Sequence, residues 1–360
     1  MNLRIPGPTP LPPEVIEAVS QQMVNHRGPE FEKLFGEVTA WLKVFFETQQ
    51  DVLLLTSSGT GGMEAAIVNT LSPGDRVLAV SLGAFGDRFA GIAEAHGADV
   101  TRMQVTMGRA ADPSAVGMVV REQGPFAAVL LTQNETSTGV TNDVKALAES
   151  IGAGSGGAAP LVLVDAISGL GAIRLQADAW NCDVVITGSQ KAWMAPPGMA
   201  MLSFGARAWR AYERARMPRF YFDLGEARRY AQRNQTPATP AVSVLYGLHA
   251  SLQRMVAQGP QTIHARHQEI GDYCRRGLVE LGCGLFAEEG HRSNTVTAAT
   301  MPAGLRASKV LEVLRTRFGI IVGSTKAPGV EMIRIGHMGY VSEADLDEVF
   351  AALRTIVAEG

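Results

Sequence analysis

The chain has 360 residues, 46% of them hydrophobic, with a formal charge of −3 at neutral pH and three cysteines. That length and apolar content suit a large core spread over two domains, and the charge gives no bulk attraction for nucleic acid or an anionic membrane. Cys182, Cys274 and Cys283 are odd in number and scattered, which points away from a disulfide framework or a metal-ligand spacing. With no signal-peptide h-region, no membrane-length apolar run and no peroxisomal tripeptide at Ala358-Glu-Gly360, the cytoplasm is the simplest location.

In chain order, Ile5-Pro-Gly-Pro-Thr-Pro-Leu-Pro-Pro13 lacks too many backbone donors to be helix or central strand. It is predicted as an extended arm, residues 1–15, running into a helix from Pro13 to Met23. Asn25–Glu30 reads as a loop, and Phe31–Phe46 carries Leu34, Val38, Trp41, Leu42 and Phe45 at helical spacing. From Asp51, apolar strands, glycine turns and helices alternate. Strands are expected at Val52–Leu55, Arg76–Val80, Phe126–Leu131, Leu161–Val164 and Asp183–Thr187, with an apolar run at Met199–Phe204. Helices are expected at Met63–Thr70, Arg88–His96 and Val140–Ile151. Continuous apolar strands separated by helices predict an α/β fold whose mostly parallel sheet is covered on both faces. After an extended break at Gln235–Pro240, a long helix, Val242–Gln258, leads into a unit of different character. It holds expected helices at Gln261–Leu281, Ser308–Phe318 and Glu343–Val357, and strands at Thr295–Thr300 and Met332–Ile335. That predicts a smaller C-terminal α+β domain, residues 258–360, after a large domain of residues 16–257.

In open parallel sheets, ligands gather at the carboxyl ends of the strands. Ser58, Thr136, Asp165 and Lys191 all follow predicted strands. Lys191 lies in a small-residue turn closed by Pro196-Pro197-Gly198, a sequence that fixes the turn's shape. A lysine held there is either a buried amine with a lowered pKa, ready to form a Schiff base, or a solvated lysine at a loop mouth. Ser58-Gly59-Thr60 opens a helix, and its N–H groups and hydroxyls suit a phosphate as well as they suit an ordinary N-cap. Gly59-Thr-Gly-Gly62 lacks the G-x-G-x-x-G spacing of dinucleotide sites.

The ordered motifs are Pro6-Gly-Pro-Thr-Pro10, Ser57-Ser-Gly-Thr60 with Glu64-Ala-Ala66, Glu135-Thr-Ser-Thr-Gly139, Val164-Asp-Ala166, Gly188-Ser-Gln-Lys191 with Ala195-Pro-Pro-Gly198, and Arg334-Ile-Gly336. As a set, running from Pro6 to Tyr340, the chain resembles the class V, fold-type I pyridoxal-phosphate aminotransferases, and among them the alanine/serine–glyoxylate (serine–pyruvate) group. The resemblance implies pyridoxal 5′-phosphate as cofactor, joined to Lys191 as a Schiff base, and no metal. It implies that Ser58, Gly59, Thr60 and Gln190 meet the phosphate, that Phe85 stacks on the ring, and that Thr136 bonds the ring oxygen. Phe85 departs from the family's usual tryptophan. Asp165, a costly carboxylate at the end of an apolar strand, is implied to pair with the protonated pyridine nitrogen; its other reading is an acceptor for a helix N-terminus. Arg334 is implied to grip the substrate α-carboxylate through a bidentate fork, with Gly7, His26 and Arg27 on the substrate side. Gln235, Thr236 and Thr239 match a segment given across a dimer interface to a neighbour's phosphate, which implies a homodimer with shared active sites.

The expected activity is transfer of an amino group from a small amino acid, serine or alanine, to a 2-oxo acid, glyoxylate or pyruvate. An aspartate-type donor needs a second cation, for which Arg27 is the candidate. The alternative on the same fold is a lyase such as a cysteine desulfurase. Its loop cysteine has only Cys283 as a candidate, in a helix-to-strand turn, and Gln190 stands where desulfurases usually carry histidine. A non-enzymatic cofactor-binding regulator lacks room for a DNA-binding domain.

Overall fold

A computed structural model of the chain describes residues 1–157, 159–327 and 329–359. Pro328, in the glycine-rich approach to Arg334, and Gly360 lie outside the described residues. The first strand, β1 (Asn2–Arg4), is followed by an irregular arm and by α1 (Pro13–Val19), which opens on a proline whose missing N–H costs nothing at a helix start. α2 (Pro29–Phe46) opens the same way and buries Phe31, Leu34, Phe35, Val38, Leu42, Phe45 and Phe46. The alternating stretch then runs β2 (Asp51–Thr56), α3 (Gly59–Thr70), β3 (Arg76–Ser81), α4 (Ala84–Ala95), β4 (Asp99–Gln104), α5 (Pro113–Gln123) and β5 (Ala128–Thr132). A short hairpin, β6 (Asn134–Glu135) and β7 (Val140–Thr141), precedes α6 (Val144–Gly154), β8 (Leu161–Asp165), β9 (Val184–Gly188) and β10 (Met199–Phe204). After α7 (Ala206–Tyr212), α8 (Leu224–Ala231), α9 (Val242–Gln258) and α10 (Pro260–Glu280) come β11 (Gly284–Leu285), β12 (Val296–Thr300), α11 (Ala307–Phe318), β13 (Ile320–Ala327), β14 (Val330–Gly336) and α12 (Glu343–Glu359).

The larger sheet has the order β2-β10-β9-β8-β5-β3-β4, parallel except for β10, which is antiparallel to both neighbours. Every residue of β5, β8, β9 and β10 is buried, as a sheet covered on both faces requires. Alternation along each strand splits the core in two. Val129, Leu131, Val162, Val164 and Val185 face one cluster with α2 and α9, whereas Leu130, Leu163, Val184 and Ile186 face another with α3 and α4. The second sheet, β1-β13-β14-β12-β11, packs against α10, α11 and α12 around Leu278, Ile333, Leu314 and Leu353.

Several expectations need correction. The helix expected from Val140 begins at Val144, because Asp143 caps it by accepting from Ala146 N–H at 3.0 Å, and Val140–Thr141 is spent on the hairpin. α1 stops at Val19, short of Met23, and β5 starts at Ala128 rather than Phe126. The N-terminal arm opens on β1, a strand of the second sheet, where Asn2 to Arg4 pair in parallel with Ile320 to Val322. β4, α5, α7, α8 and β13 were not expected from the pattern.

Candidate active site

Lys191 leaves the large sheet just past β9, and the core fixes its backbone. Ser189 Oγ donates to Pro196 O at 2.6 Å and accepts from Met199 N at 3.2 Å, which closes the turn. Trp193 is fully buried, donates its indole N–H to Thr187 Oγ1 at 2.8 Å and meets Phe45 edge-on. The N-terminal arm roofs the lysine. Thr9 N–H donates to Gln190 O at 3.1 Å, Thr9 Oγ1 donates to Lys191 O at 3.0 Å, and Lys191 Nζ donates to Pro6 O. Gly7 sits at φ +113°, and a Cβ there would lie 2.6 Å from Lys191 Nζ. Only glycine can pass the chain over the amine at this point. The side chain is 8% exposed. Burial pushes its pKa down to about 8, against the Asp165 charge and with help from Arg334 and Arg88.

Asp165, the last residue of β8, is buried and accepts from Ile167 N–H at 2.9 Å. Burial pushes its carboxyl up to about 7, and the charge of Glu135 adds to that. Lys191 lowers the Asp165 pKa and Asp165 raises the Lys191 pKa, so the two groups sense one another across the strand ends.

Glu135 is fully buried in the β6 hairpin. One carboxylate oxygen accepts from Phe85 N–H at 2.9 Å and Gly86 N–H at 3.4 Å, at the first turn of α4. The other accepts from Ser137 N–H at 2.9 Å and Ser137 Oγ–H at 2.6 Å. It therefore ties the half-buried Phe85 to the turn that carries Thr136. Thr136 is itself buried, and its carbonyl accepts from Arg334 Nη1 at 2.9 Å. Arg334, on β14, also donates from Nε and Nη2 to Ser324 O at 3.2 and 2.8 Å. Burial lowers the Arg334 pKa, and the Glu135 charge opposes this.

Next to the lysine lies a cradle of small residues. A Cβ on Gly59 would meet Ile167 Cδ1 at 2.5 Å, and one on Gly188 would meet Gln190 Oε1 at 3.0 Å and Gly59 N at 3.6 Å. Gln190 Oε1 is buried without a hydrogen-bond partner, and turning the amide over presents N–H groups instead. Ser58, exposed, caps α3 by accepting from Gly61 N–H at 3.4 Å. Thr60 Oγ1 accepts from Arg88 Nη1 at 3.4 Å, and the same guanidinium lies 4.9 Å from the Phe85 ring centre. A helix N-terminus, a spare amide and a nearby cation form a donor set that fits a phosphate.

Within one chain, the remaining expected residues gather elsewhere. Arg27 donates to Thr236 O, to Pro237 O at 3.1 Å and to Gln235 Oε1 at 3.4 Å, and its guanidinium lies over Tyr230. Gln235 Nε2 donates to Glu32 at 2.8 Å. Thr236 and Thr239 line a small cavity with Thr56 and Tyr221. His26, half-buried, sits beside Arg27 in the same loop. Glu135 and Arg88 carry no assigned role in the sequence reading. The available signals were an acid inside the Glu135–Gly139 motif and a cation three residues after Phe85.

The profile of the family described as "Aminotransferase class-V" matches residues 1–349. The chain belongs to that family. Among its relatives, an L-aspartate–glyoxylate aminotransferase of Paracoccus denitrificans is 36% identical over 99% of this chain and 90% of its own length. A protein called soluble hydrogenase, small subunit, from Synechococcus sp. is 38% identical over 99% of this chain and 93% of its own. The crystal structure of an alanine–glyoxylate aminotransferase from Nostoc sp. superposes with a TM-score of 0.94 at 27% identity, covering 99% of this chain and 95% of that one. This aminotransferase therefore has the fold-type I architecture of its family, and the family implies pyridoxal phosphate as cofactor.

Proposed function

We propose that the chain binds pyridoxal phosphate covalently at Lys191 and moves an amino group from serine or alanine to glyoxylate or pyruvate. The observation that carries this is the buried amine of Lys191, with a pKa pushed down to about 8, held beside Asp165 under the Pro6–Thr9 arm. A partly neutral amine near physiological pH is both a nucleophile and a proton carrier. When bound, pyridoxal phosphate supplies an electron sink that acidifies the substrate's α-C–H bond.

The chain's own residues do the rest. Gln190 and the N–H groups of Gly59 and Thr60 would hold the phosphate, with Ser58 and Thr60 hydroxyls beside it. Phe85 would cover the ring, Thr136 would bond its oxygen, and Asp165 would keep the proton on its nitrogen. Arg334 holds the substrate carboxylate at a place fixed by Thr136 O and Ser324 O. Lys191 Nζ takes the α-proton and returns it on the other side of the transfer. The arm over Nζ keeps water from that proton. We place these parts in a large domain, residues 16–257, and a small one, residues 258–360, behind an arm of residues 1–15. The chain is proposed to work as a cytoplasmic homodimer in which Gln235, Thr236 and Thr239 complete the partner's phosphate site.

The name of the Paracoccus relative supports a second donor, aspartate. Arg27 is the candidate for the second cation that donor needs, and like Arg334 it is held by backbone carbonyls, here those of Thr236 and Pro237. The lyase alternative lacks an activated thiol. All three cysteines are buried, and burial pushes Cys182 and Cys274 up to about 12 and Cys283 up to about 11. The test is a matrix of serine, alanine and aspartate against glyoxylate and pyruvate, read as spectral conversion of the cofactor and its return by the 2-oxo acid. Conversion by an amino acid with no return by any 2-oxo acid would sink the transaminase reading.

A further inference from the structure

A partly open cavity of about 230 Å³ lies beside the Lys191 turn, and among the described residues no acid lines it. One wall is Ala192 and Met194, one to three residues past Lys191; the others are the end of α9, the first turns of α10 and the loop from Gly339 to Ser342. Two guanidiniums face it, Arg254 from α9 and Arg266 from α10. Arg254 already has a partner in Glu14, at 2.8 Å. Arg266 has none. It is half-buried, and among the described residues no carboxylate lies within salt-bridge reach of it. Among the described residues its acceptors are backbone carbonyls, Gly339 O at 2.8 Å and Val341 O at 3.2 Å. Burial and then the like charge of Arg254 press its pKa down, with no acid opposing them. A partly desolvated cation without a counter-ion calls for an anion.

The same loop touches the chemistry. His267 Nε2 accepts from Gly339 N–H at 3.0 Å while Arg266 holds the Gly339 carbonyl, so α10 grips that peptide from both sides. A Cβ on Gly339 would lie 3.4 Å from both Lys191 O and Thr9 Oγ1. Whatever binds between the two arginines thus braces the loop on which the Lys191 turn rests.

We infer that this cavity is a second, non-catalytic binding site for a small oxyanion, held between Arg254 and Arg266. Its volume, below the roughly 300–1,000 Å³ of ordinary ligand pockets, suits inorganic phosphate or a short organic acid and not a nucleotide. The test is calorimetric titration of the protein, saturated with pyridoxal phosphate, with inorganic phosphate in one arm and succinate in the other. Saturable binding of at least one probe below about 10 mM is expected, and the arm that binds identifies the source. Arg254→Gln and Arg266→Gln should each weaken it by about tenfold or more. Gln258→Trp, which fills the cavity from α9 while keeping both arginines, should abolish it. Arg334→Ala and Gln190→Ala should leave it unchanged, which separates this site from the carboxylate and phosphate places of the proposed active site. Absence of saturable binding by both probes, indifference to Arg254→Gln and Gln258→Trp, or loss on Arg334→Ala would each overturn the inference.

Discussion

Arg334 and Asp165 meet the reaction at different atoms, so their losses should look different. Arg334→Ala removes a charge-assisted fork that binds substrate and transition state alike. The expected result is a rise in KM for amino acids of about 30- to 160-fold, from roughly 2–3 kcal/mol of lost hydrogen bonding, with a smaller change in kcat. Simple amines should be spared, and steady-state kinetics with serine and a plain amine checks this. Asp165→Asn leaves the fork intact and removes the anion that keeps the ring nitrogen protonated, so kcat should fall by about a hundredfold or more while KM moves little. Glu135 belongs at this scale too. Its four acceptor contacts hold Phe85 and, through Thr136, the perch of Arg334. Glu135→Gln forces one donor to face another donor, which should cost roughly 1–3 kcal/mol of stability. It also takes a negative charge away from Asp165, whose pKa should drop below its present value of about 7. Thermal unfolding together with the pH dependence of the cofactor spectrum would expose both effects; unchanged melting would show that the hairpin does not depend on this carboxylate.

Elements were legible in the sequence where one residue pattern does one job. β5, β8 and β9 are short continuous apolar runs, and their ends carried Asp165 and Lys191 into view. The Val140 helix start was misplaced because the apolar pattern continues smoothly through Val140 and Val144, while the cap that decides the boundary is the single residue Asp143. Asp143→Ala should cost about 1 kcal/mol and fray α6 at its start, measurable by denaturant unfolding and by amide exchange at Ala146. β4 escaped notice because it is an edge strand with exposed Asp99, Arg102 and Gln104, whose pattern reads as polar loop. The role of Glu135 was hidden for another reason. Two of its partners, the N–H groups of Phe85 and Gly86, lie about fifty residues away, which leaves no trace in composition or spacing.

For the whole molecule, pH acts through groups buried far from water. His267 donates from Nδ1 to Ile263 O and accepts at Nε2 from Gly339 N–H, a geometry that needs the neutral ring. His337 meets Thr297 Oγ1 at 2.9 Å, and burial pushes both histidines down to about 3 from an ordinary 6.5. The unfolded chain therefore binds more protons than the folded one between those limits. Stability is full above about pH 6.5 and falls with acidification below it, by up to roughly 1.4 kcal/mol per pH unit for each histidine. Denaturant midpoints at pH 7.5 and 5.5 should show this slope, and His267→Gln should flatten it. Asp165 works the other way: its carboxyl is raised from 3.8 to about 7, so its contribution falls as pH rises through that window, whereas Lys191, lowered from 10.5 to about 8, acts in the same direction as the histidines at alkaline pH. The placement of β1 ties the two sheets to one another. Its three residues pair with Ile320 to Val322 of β13, at the far end of the chain, in the second sheet. The roof over Lys191 is therefore held at two ends, by β13 before Pro6 and by Gln190 O and Lys191 O at Thr9. Loosening the β1–β13 pairing would release one end of that roof while Thr9 still holds the other, so order in the second sheet reaches the amine of the first.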